Sequence, residues 1–419
     1  MALRKAPIPC FELTLMSKYV CAFRGRRDSY QVPIALAESE KLDQFITDAY
    51  AMPWVRAVSK GVPESVNRHI NFRSDANIPA DRVRCLWGTT AIEHLRHRAG
   101  FSRTITWSKL DQNFALAAAR RAEQSRADLF LYSSYAWEAF KSRYSHDPRR
   151  ILFQYHPHPS LEKKILASDL PLYPNIFRAA PDTHGDSFPE NLLRRERDCW
   201  QYADLIFCAS TFTKRSLLEA GADEKICRVV PYGIDLPPKV EGEPPSDRFH
   251  AVFVGNAMHR KGLHHLLLAW QRAALPENSK LTLICRLFFD PELEQLVHAT
   301  PRVQLIRGVS AAELQQTFAA STVFVMPSLV EGFGQVYLEA LAQGCPVVGT
   351  ANTALPDLGD ETDGVHLVSP GNIDQLVAKL ESLSKSLPGD SAIRAACRQV
   401  AARFPWSRFR QTLRLHLPS

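Results

Sequence analysis

Short apolar runs alternate with longer stretches in which apolar residues recur every three or four positions, and this alternation extends over most of the chain. The short runs are typical of buried parallel strands, and the longer stretches are typical of the helices that cover them. The strands predicted in the N-terminal half are residues 11–15, 19–23, 129–132, 151–155, 205–208 and 227–230, with helices at 112–126 and 191–203. The strands predicted in the C-terminal half are 251–254, 281–285, 303–306, 323–326, 346–348 and 366–368, with helices at 262–274, 311–320, 336–343 and 373–384. The pattern predicts an α/β fold with parallel sheets.

A proline-rich, polar stretch at residues 231–246 separates the two halves and lacks apolar periodicity. Such a composition is typical of a linker. The 419 residues are too many for one hydrophobic core and suggest two domains of roughly 150–250 residues each. The part that follows the linker is therefore predicted to be a Rossmann-type domain of its own.

The composition is that of a globular protein, with 45% hydrophobic and 23% charged residues, and it argues against a disordered chain. No apolar run reaches the ~18–20 residues of a membrane-spanning helix, and no signal peptide is predicted. The net charge of +7 is mild and does not indicate a nucleic-acid partner. The arginine-rich N-terminal half is either a solvated surface or a face for anionic lipids or phosphorylated ligands. Nine scattered cysteines predict a reduced, cytoplasmic protein without a structural zinc site.

The first candidate site is the loop that follows the predicted strand at 251–254. Gly255 permits a sharp exit from the strand, Asn256 comes next, and Arg260 and Lys261 stand just before the following helix. Loops at the carboxyl ends of parallel strands bind ligands in folds of this class. Two cations beside the free N–H groups of a helix N-terminus suit a diphosphate. Taken alone, the motif is equally compatible with a surface Arg-Lys pair, since it is neither a dinucleotide-binding glycine pattern nor a Walker A loop.

The second candidate site lies at residues 323–348, where a buried strand leads into a glycine-rich loop and then a helix. Glu331 stands on the loop, and Glu339 stands eight residues later in the helix. Eight residues span a little over two helical turns, so the two carboxylates are too far apart for a direct acid/base dyad. They are better placed to hold the hydroxyls of different parts of one elongated ligand. Gly332 and Gly334 let the backbone approach that ligand closely.

The stretch at 323–348 resembles the Glu-x₇-Glu signature of retaining glycosyltransferases of the GT-B fold, in the large group-1 (family four) set. The matching residues are Glu-Gly-Phe-Gly, Leu-Glu-Ala-Leu-Ala and Gly-Cys-Pro-Val-Val. The Arg-Lys-Gly loop at 260–262 resembles the same family's diphosphate-binding loop. Segments at 202–214 and 229–235 resemble its last N-domain strand and the start of its linker. The resemblance covers residues from about 200 to 375.

This resemblance implies two Rossmann-like domains that face each other across a cleft. Residues 1–235 would form an N-terminal acceptor-binding domain, and residues 236–248 would form the linker. Residues 249–400 would form a C-terminal domain that binds the nucleotide-sugar donor, and residues 401–419 a closing helix that packs back on the N-terminal domain. Trp406 and Phe409 in that helix are expected to pack rather than bind.

The resemblance also implies a role for each matched residue. Glu331 would contact hydroxyls of the donor sugar, and Glu339 would accept hydrogen bonds from the nucleotide ribose. Arg260 and Lys261 would stabilise the departing diphosphate. Backbone N–H groups for sugar and phosphate oxygens would come from Phe333, Gly334, Gln335 and Val336, and contacts with the nucleobase from Arg307, Gly308 and Val309. No cofactor and no metal are expected, because the cationic pair would replace the divalent ion that other glycosyltransferases use.

The acceptor is expected against the N-terminal domain. Gly25, Arg26 and Arg27 lie in a loop that resembles the family's first strand-to-helix turn, and the two arginines would face a phosphate of the donor or the acceptor. His156 follows the strand at 151–155, where family members often place a histidine that faces the sugar; a structural role is equally compatible with this position. For His158 the adjacent prolines favour an ordinary loop. A His-x-His metal site has no third ligand in sequence reach.

These features predict a metal-independent retaining hexosyltransferase that moves a sugar from a nucleoside diphosphate to a saccharide or lipid-linked acceptor. Assembly of bacterial surface polysaccharides or glycolipids is the expected setting, with peripheral membrane contact at the inner face. A non-catalytic nucleotide-sugar-binding or scaffold protein with the same fold is the alternative. Asn256 and Gln335 differ from the residues that the family often carries there, so the donor sugar stays open.

Overall fold

The computed structural model describes residues 17–58, 67, 70–100, 103–177, 190–238, 240, 248–288 and 290–418. The strand predicted at 11–15 lies outside these residues, as do residues 239 and 241–247 of the predicted linker. The strands are β1 Tyr19–Ala22, β2 Leu42–Thr47, β3 Val83–Cys85, β4 Asp128–Tyr132, β5 Arg150–Gln154, β6 Leu205–Cys208, β7 Cys227–Val229, β8 His250–Val254, β9 Lys280–Ile284, β10 Val303–Ile306, β11 Val323–Val325, β12 Val347–Thr350 and β13 Val365–Val368. The helices are α1 Gln31–Glu38, α2 Pro53–Val58, α3 Trp87–Arg98, α4 Arg103–Ser125, α5 Trp137–Lys141, α6 Pro159–Asp169, α7 Glu190–Asp198, α8 Thr211–Glu219, α9 Leu263–Arg272, α10 Pro291–Ala299, α11 Ala311–Ala319, α12 Gln335–Ala342, α13 Leu355–Leu358, α14 Ile373–Ser386, α15 Ser391–Ala402 and α16 Trp406–His416.

The N-terminal half forms a parallel sheet of seven strands in the order β3-β2-β1-β4-β5-β6-β7. The strand order reverses between β1 and β4, and ligands of open α/β sheets bind at such a switch point, beyond the carboxyl ends of the strands. β1 is buried along its whole length. The loop that follows it contains Gly25, Arg26 and Arg27, so the switch point lies beside the predicted acceptor loop.

The C-terminal half forms a second parallel sheet, of six strands in the order β10-β9-β8-β11-β12-β13. Here the order reverses between β8 and β11, which pair directly through Val323 with Ala251 and Phe324 with Val252. The loop with Arg260 and Lys261 follows β8, and the loop with Glu331 follows β11. Strand pairing therefore places the two candidate sites of the sequence side by side.

The two sheets and their covering helices confirm the predicted α/β class, and several boundaries differ. β2 and β3 were not predicted, because the polar Asp43 and Gln44 interrupt the apolar run of β2 and β3 has only three residues. The helix predicted at 112–126 begins at Arg103. The helix predicted at 191–203 ends at Asp198 and continues as the 3-10 turn Cys199–Tyr202, where the ring of Tyr202 packs edge-on against Trp137.

The chain connects the two halves at two neighbouring points. After β7 it passes through Ile234, whose N–H donates to Phe404 O at 2.9 Å beside a bridge to Pro405. Helix α16 then packs against α1, with Arg410 Nε 2.8 Å from Glu38 Oε1. Trp406 and Phe409 are buried in this contact region. Within the described ranges, no helix combines the length and the apolar character that crossing a bilayer requires.

Candidate active site

A cluster of three ionised side chains lies where the loops after β8 and β11 meet. The 3-10 turn His259–Lys261 carries Arg260 and Lys261. Arg260 Nη1 lies 2.8 Å from Glu331 Oε2, and Lys261 Nζ contacts the same oxygen. The three side chains are only 12–14% exposed. Two cations and one carboxylate leave one excess positive charge, which suits an anionic ligand.

The charges in this ion cluster hold one another in the ionised state. Although burial favours the neutral acid, Arg260 and Lys261 hold the pKa of Glu331 well below its usual range. Burial lowers the pKa of Lys261, and the charge of Glu331 opposes that effect. The predicted sugar-binding carboxylate is therefore the counter-ion of the predicted phosphate-binding cations in this structure.

Two glycines allow the close approaches that build the site. Gly262, with φ +68°, lies just before α9, and a Cβ there would be 2.1 Å from Pro327 O. A Cβ on Gly332 would be 2.0 Å from Tyr155 O, which belongs to the N-terminal half. Ser210 Oγ, also in the N-terminal half, donates to Gly332 O at 2.5 Å. The loop that carries Glu331 is thus pressed against the facing domain, and the cleft is closed at this point.

His156 and Glu162 bring a second carboxyl to the N-terminal side of the ion cluster. His156 Nδ1 lies 3.6 Å from Glu162 Oε2, and the nearby imidazole lowers the pKa of Glu331 further. Glu162 is buried in the first turn of α6. Burial raises the pKa of Glu162 to about 7, and the neighbouring Arg260 only partly offsets this rise. A buried group that titrates near neutrality in a cleft is a candidate for a functional role.

No sequence motif singles out Glu162. A glutamate in the first turn of a helix normally stabilises the helix dipole, so the residue gives no local signal of another role. His158, two residues after His156, has structural partners instead. It caps α6 by accepting from Ser160 N at 3.3 Å, and its Nε2 lies 2.8 Å from Arg197 O.

The predicted acceptor loop presents two arginines held against aromatic rings. The Arg27 guanidinium carbon lies 4.1 Å from the centroid of the Tyr155 ring, and that of Arg26 lies 4.6 Å from the centroid of Phe72. Among the described residues, the buried Nε–H groups of both arginines have no hydrogen-bond partner. Gly25 begins the loop with φ +79°. Cations with unused donors on the N-terminal side of the cleft suit an anionic ligand.

Three consecutive residues after Arg27 have a left-handed backbone. Asp28, Ser29 and Tyr30 have φ values of 46°, 49° and 63°, and such a conformation costs roughly 1–2 kcal/mol for a residue other than glycine. Asp28 accepts a hydrogen bond from Tyr232 Oη at 2.9 Å, and burial raises the pKa of Asp28 despite the neighbouring Arg27. Strain of this kind is concentrated at functional sites. Here the turn fixes Arg27 at the cleft.

The predicted donor residues on the glycine-rich loop and on α12 have contacts of several kinds. Phe333 packs on Tyr232, with ring centroids 5.4 Å apart. Gln335 Nε2 donates to Gly233 O at 3.2 Å, at the connection between the two halves. Burial raises the pKa of Glu339. Gly334, with φ +80°, caps the N-terminus of α12, and Val336 packs against the core.

The remaining predicted donor residues follow β8 and β10. Gly255 leaves β8 with φ +150°, followed by Asn256. Arg307 pairs with Glu294 of α10, and its guanidinium carbon lies 5.5 Å from the centroid of the Phe288 ring. Gly308 and Val309 continue from Arg307 at the edge strand β10. The contact of these three residues with a nucleobase stays a prediction.

Solved structures with the same arrangement of two Rossmann-like domains cover nearly the whole chain. A sucrose-phosphate synthase from Thermosynechococcus elongatus superposes with a TM-score of 0.67 at 16% identity, over 95% of this chain and 98% of that one. Anabaena HepE in complex with UDP and glucose superposes with a TM-score of 0.58 at 16% identity, with the same coverage. At these identities the likeness concerns the fold, which is GT-B.

Sequence comparison identifies the C-terminal half more closely. The model of the family described as "Glycosyl transferases group 1" matches residues 248–386, a range that contains Arg260, Lys261, Glu331 and Glu339. Residues 248–386 therefore resemble a group 1 glycosyltransferase domain, within a chain that has the GT-B fold.

Curated relatives match over part of the chain. An MMP alpha-(1->4)-mannosyltransferase from Mycolicibacterium hassiacum is 29% identical over 200 residues, which are 46% of this chain and 48% of the relative. The O-antigen chain mannosyltransferase B of Escherichia coli is 33% identical over 148 residues, which are 34% of this chain and 38% of the relative. The matched segments thus span half or less of the length of these relatives.

Proposed function

We propose that the protein is a retaining glycosyltransferase that moves a hexose from a nucleoside diphosphate sugar to a hydroxyl of a saccharide or lipid-linked acceptor. The observation that carries the proposal is the buried ion cluster of Arg260, Lys261 and Glu331 in the closed cleft. Two of the relatives have the names of mannosyltransferases, and one structural neighbour was solved with UDP and glucose. These names support a role in the assembly of surface polysaccharides or glycolipids.

In the proposed reaction the bond between the anomeric carbon and the β-phosphate oxygen breaks, and its electrons pass to that oxygen. The acceptor hydroxyl oxygen bonds to the anomeric carbon on the same face, so the configuration is retained. The proton of the acceptor hydroxyl passes to the departing phosphate oxygen. Arg260 and Lys261 stabilise the negative charge as it develops there. Two fixed cations supply the charge that a divalent ion would otherwise supply, so this step needs no metal at the reaction centre.

The ion pairs within the cluster suggest how donor binding changes the site. Before the donor binds, Glu331 neutralises one of the two cations. A diphosphate would draw Arg260 and Lys261 toward its own oxygens, because it presents more negative charge than one carboxylate. Glu331 would then be free to accept hydrogen bonds from hydroxyls of the sugar. The same three residues thus exchange one set of partners for another, and each buried charge keeps hydrogen-bonding partners.

The N-terminal side of the cleft suggests the chemistry of the acceptor. Arg26 and Arg27 offer buried Nε–H donors without partners among the described residues. We expect them to bind a phosphate or carboxylate of the acceptor, and the basic loop would serve a lipid-linked phosphate equally well. The imidazole of His156 lies close enough to Glu331 to lower the pKa of that carboxyl, and there it would contact the transferred sugar.

The test begins with a panel of nucleotide sugars that carry different bases, measured by thermal shift on the full-length protein. The donor that stabilises the protein is then used to measure release of nucleoside diphosphate, and NMR gives the anomeric configuration of the product. The double variant Arg260→Ala/Lys261→Ala is expected to lose at least about 10³-fold in kcat, because both stabilisers of the leaving group are gone. A matched control, Lys225→Ala/Lys385→Ala, removes two exposed lysines and should keep full activity.

Three results would contradict the proposal. The first is a double variant that transfers sugar at the rate of the control. The second is a product with inverted configuration, which would exclude the same-face reaction. The third is selective donor binding without turnover on any acceptor tested, which would support a non-catalytic nucleotide-sugar-binding protein instead.

A further inference from the structure

A buried carboxylate at the end of α6 lies among three histidines of the C-terminal half. Asp169 is the last residue of α6, His259 precedes α9, and His264 and His265 lie in the first turn of α9. The Nε2 atoms of His259 and His264 lie 2.7 and 3.0 Å from Asp169 Oδ2. The Nε2 of His265 lies 2.9 Å from Oδ1 of the same carboxylate. These four residues, the His–Asp cluster, join the two halves of the chain and are at most 7% exposed.

Hydrogen bonding within the His–Asp cluster is incomplete. His259 and His264 donate to Asp169. Within the described part of the chain, the Nε2 of His265 forms no hydrogen bond although it lies 2.9 Å from Oδ1, because it is not aimed at that oxygen. Among the described residues, the Nδ1 atoms of His264 and His265 also have no hydrogen-bond partner. A buried polar atom without a partner costs about 1–3 kcal/mol. A ligand that binds some of these atoms would remove part of that cost.

We propose that Asp169, His264 and His265 bind a zinc ion. One potential ligand atom of each residue lies within 4.8 Å of those of the other two. Zinc binds imidazole nitrogen and carboxylate oxygen at about 2.0–2.2 Å, so a tetrahedral site separates its ligand atoms by about 3.3 Å. The Nε2 atom of His264 lies 3.0 Å from Asp169 Oδ2, already close to this value, and the Nε2 atom of His265 lies 2.9 Å from the other carboxylate oxygen, Oδ1. When an imidazole and a carboxylate bind the same ion, both point at the ion and not at each other. The His265 ring, which lies beside Asp169 without pointing at its oxygen, has this orientation.

The donor set selects the kind of metal. Two imidazoles and one carboxylate suit Zn²⁺, whereas Mg²⁺ and Ca²⁺ prefer oxygen ligands alone. Three protein ligands leave the fourth tetrahedral position to water. His259 donates to the ligating carboxylate and would orient it, as outer hydrogen-bond partners do in many metal sites. The rings of Phe177 and Tyr173 enclose the cluster, with centroids 4.4 Å from that of His259 and 4.9 Å from that of His264.

The position of the site indicates what the ion would do. It would connect α6 of the N-terminal half to the start of α9, and only Gly262 and Leu263 separate His264 from Lys261. A bound ion would therefore favour the closed cleft and fix the turn that carries Arg260 and Lys261. This structural site goes beyond the proposed function, whose reaction centre needs no metal. Cysteine spacing alone predicts no structural zinc, whereas the ligands proposed here are histidine and aspartate.

The test is zinc binding by the full-length protein after treatment with a chelator and dialysis. Calorimetric titration with ZnCl₂ is expected to show one site per chain with a Kd below about 1 µM, since buried ligands of this type bind zinc tightly. Co²⁺ is expected to produce the visible absorption bands of a tetrahedral site. Zinc should also raise the melting temperature, because it binds the folded state.

Variants place the ion at the His–Asp cluster. His265→Ala is expected to weaken zinc binding at least about 100-fold, and Asp169→Asn, which keeps the side-chain volume, at least about tenfold. His298→Ala removes a histidine whose side chain is 67% exposed and should bind zinc like the wild type. Wild-type protein that binds no stoichiometric zinc would overturn the proposal whether or not the variants fold. Zinc binding that persists unchanged in His265→Ala would overturn it too, because the ion would then lie elsewhere.

Discussion

Replacing Gly332 by alanine tests whether closure of the cleft is needed for function. A Cβ at this position would lie 2.0 Å from Tyr155 O and 3.0 Å from His156 Cα, both in the facing domain. Ordinary van der Waals contact begins at about 3.4 Å, so the two backbones would have to separate by about 1.4 Å. Neither contact is with the end of a flexible side chain, so a change of rotamer cannot relieve the clash.

The magnitude follows from the contacts that this separation breaks. Ser210 Oγ and Thr213 Oγ1 donate to Gly332 O at 2.5 and 3.2 Å, and each hydrogen bond contributes a net of about 0.5–1.5 kcal/mol. Together with the lost packing, closure should become less favourable by about 2–3 kcal/mol, which lowers the closed-to-open equilibrium constant about 30- to 150-fold. We expect kcat/KM for sugar transfer to fall by up to that factor, and the radius of gyration in small-angle X-ray scattering to increase.

Gly88→Ala is the matched control, because a Cβ on Gly88 in α3 meets no atom within 4 Å. It should keep the activity and the scattering profile of the wild type. The reasoning would be refuted if Gly332→Ala kept kcat/KM within about threefold of the control. It would also be refuted if the variant lost activity with an unchanged radius of gyration, because the loss would then arise within one domain.

Two further predictions concern buried carboxyl groups. Burial raises the pKa of Glu162 to about 7 from the ordinary 4.5. Between pH 4.5 and pH 7 the folded protein therefore keeps a proton on Glu162 that the unfolded chain has lost. The free energy of unfolding falls as the pH rises through this range. Glu162→Gln should remove up to about 3 kcal/mol of this decline. The unfolding free energy of both proteins is measured by urea unfolding at several pH values between 5 and 8. The same pH dependence in the wild type and the variant would disprove the assignment. If Glu339 binds the ribose, Glu339→Gln should weaken donor binding about 10- to 100-fold in calorimetry with kcat changed less than about threefold; an unchanged donor Kd would exclude that role.

Local sequence patterns predict the C-terminal strands well because most of them are unbroken apolar runs between turn residues. β2 in the N-terminal half fails this test because Asp43 and Gln44 lie within it. The structure shows why a carboxylate is tolerated there, since Asp43 Oδ2 accepts a hydrogen bond from Arg121 Nε at 2.7 Å. The two residues are 78 positions apart, so the pattern around β2 carries no sign of the partner that neutralises it.

Some residues of the candidate site can be predicted from sequence motifs, and others become apparent only in the folded structure. Two separate motifs predict Arg260, Lys261 and Glu331 as site residues. The motifs do not predict the ion pairs among these residues, because those pairs depend on the pairing of β8 with β11. Glu162 and Asp169 are ordinary helical residues by local pattern and acquire their importance from partners in the other half of the chain. Asp169, for example, is 90 positions from His259. Local sequence patterns thus identify functional residues that have a distinctive spacing. Residues whose role depends on tertiary contacts can be recognised only from the folded structure.

The paired connections between the two halves restrict how the cleft can open. A Cβ on Gly233 would lie 2.7 Å from Trp406 N, so the backbones of the outgoing and returning segments are in direct contact. The two segments contact each other along one short line, and this line can act as a hinge between the two halves. Sliding or twisting of one half over the other would break the Ile234–Phe404 hydrogen bond, whereas rotation about the line keeps it. Opening should therefore proceed mainly as a rotation about this line.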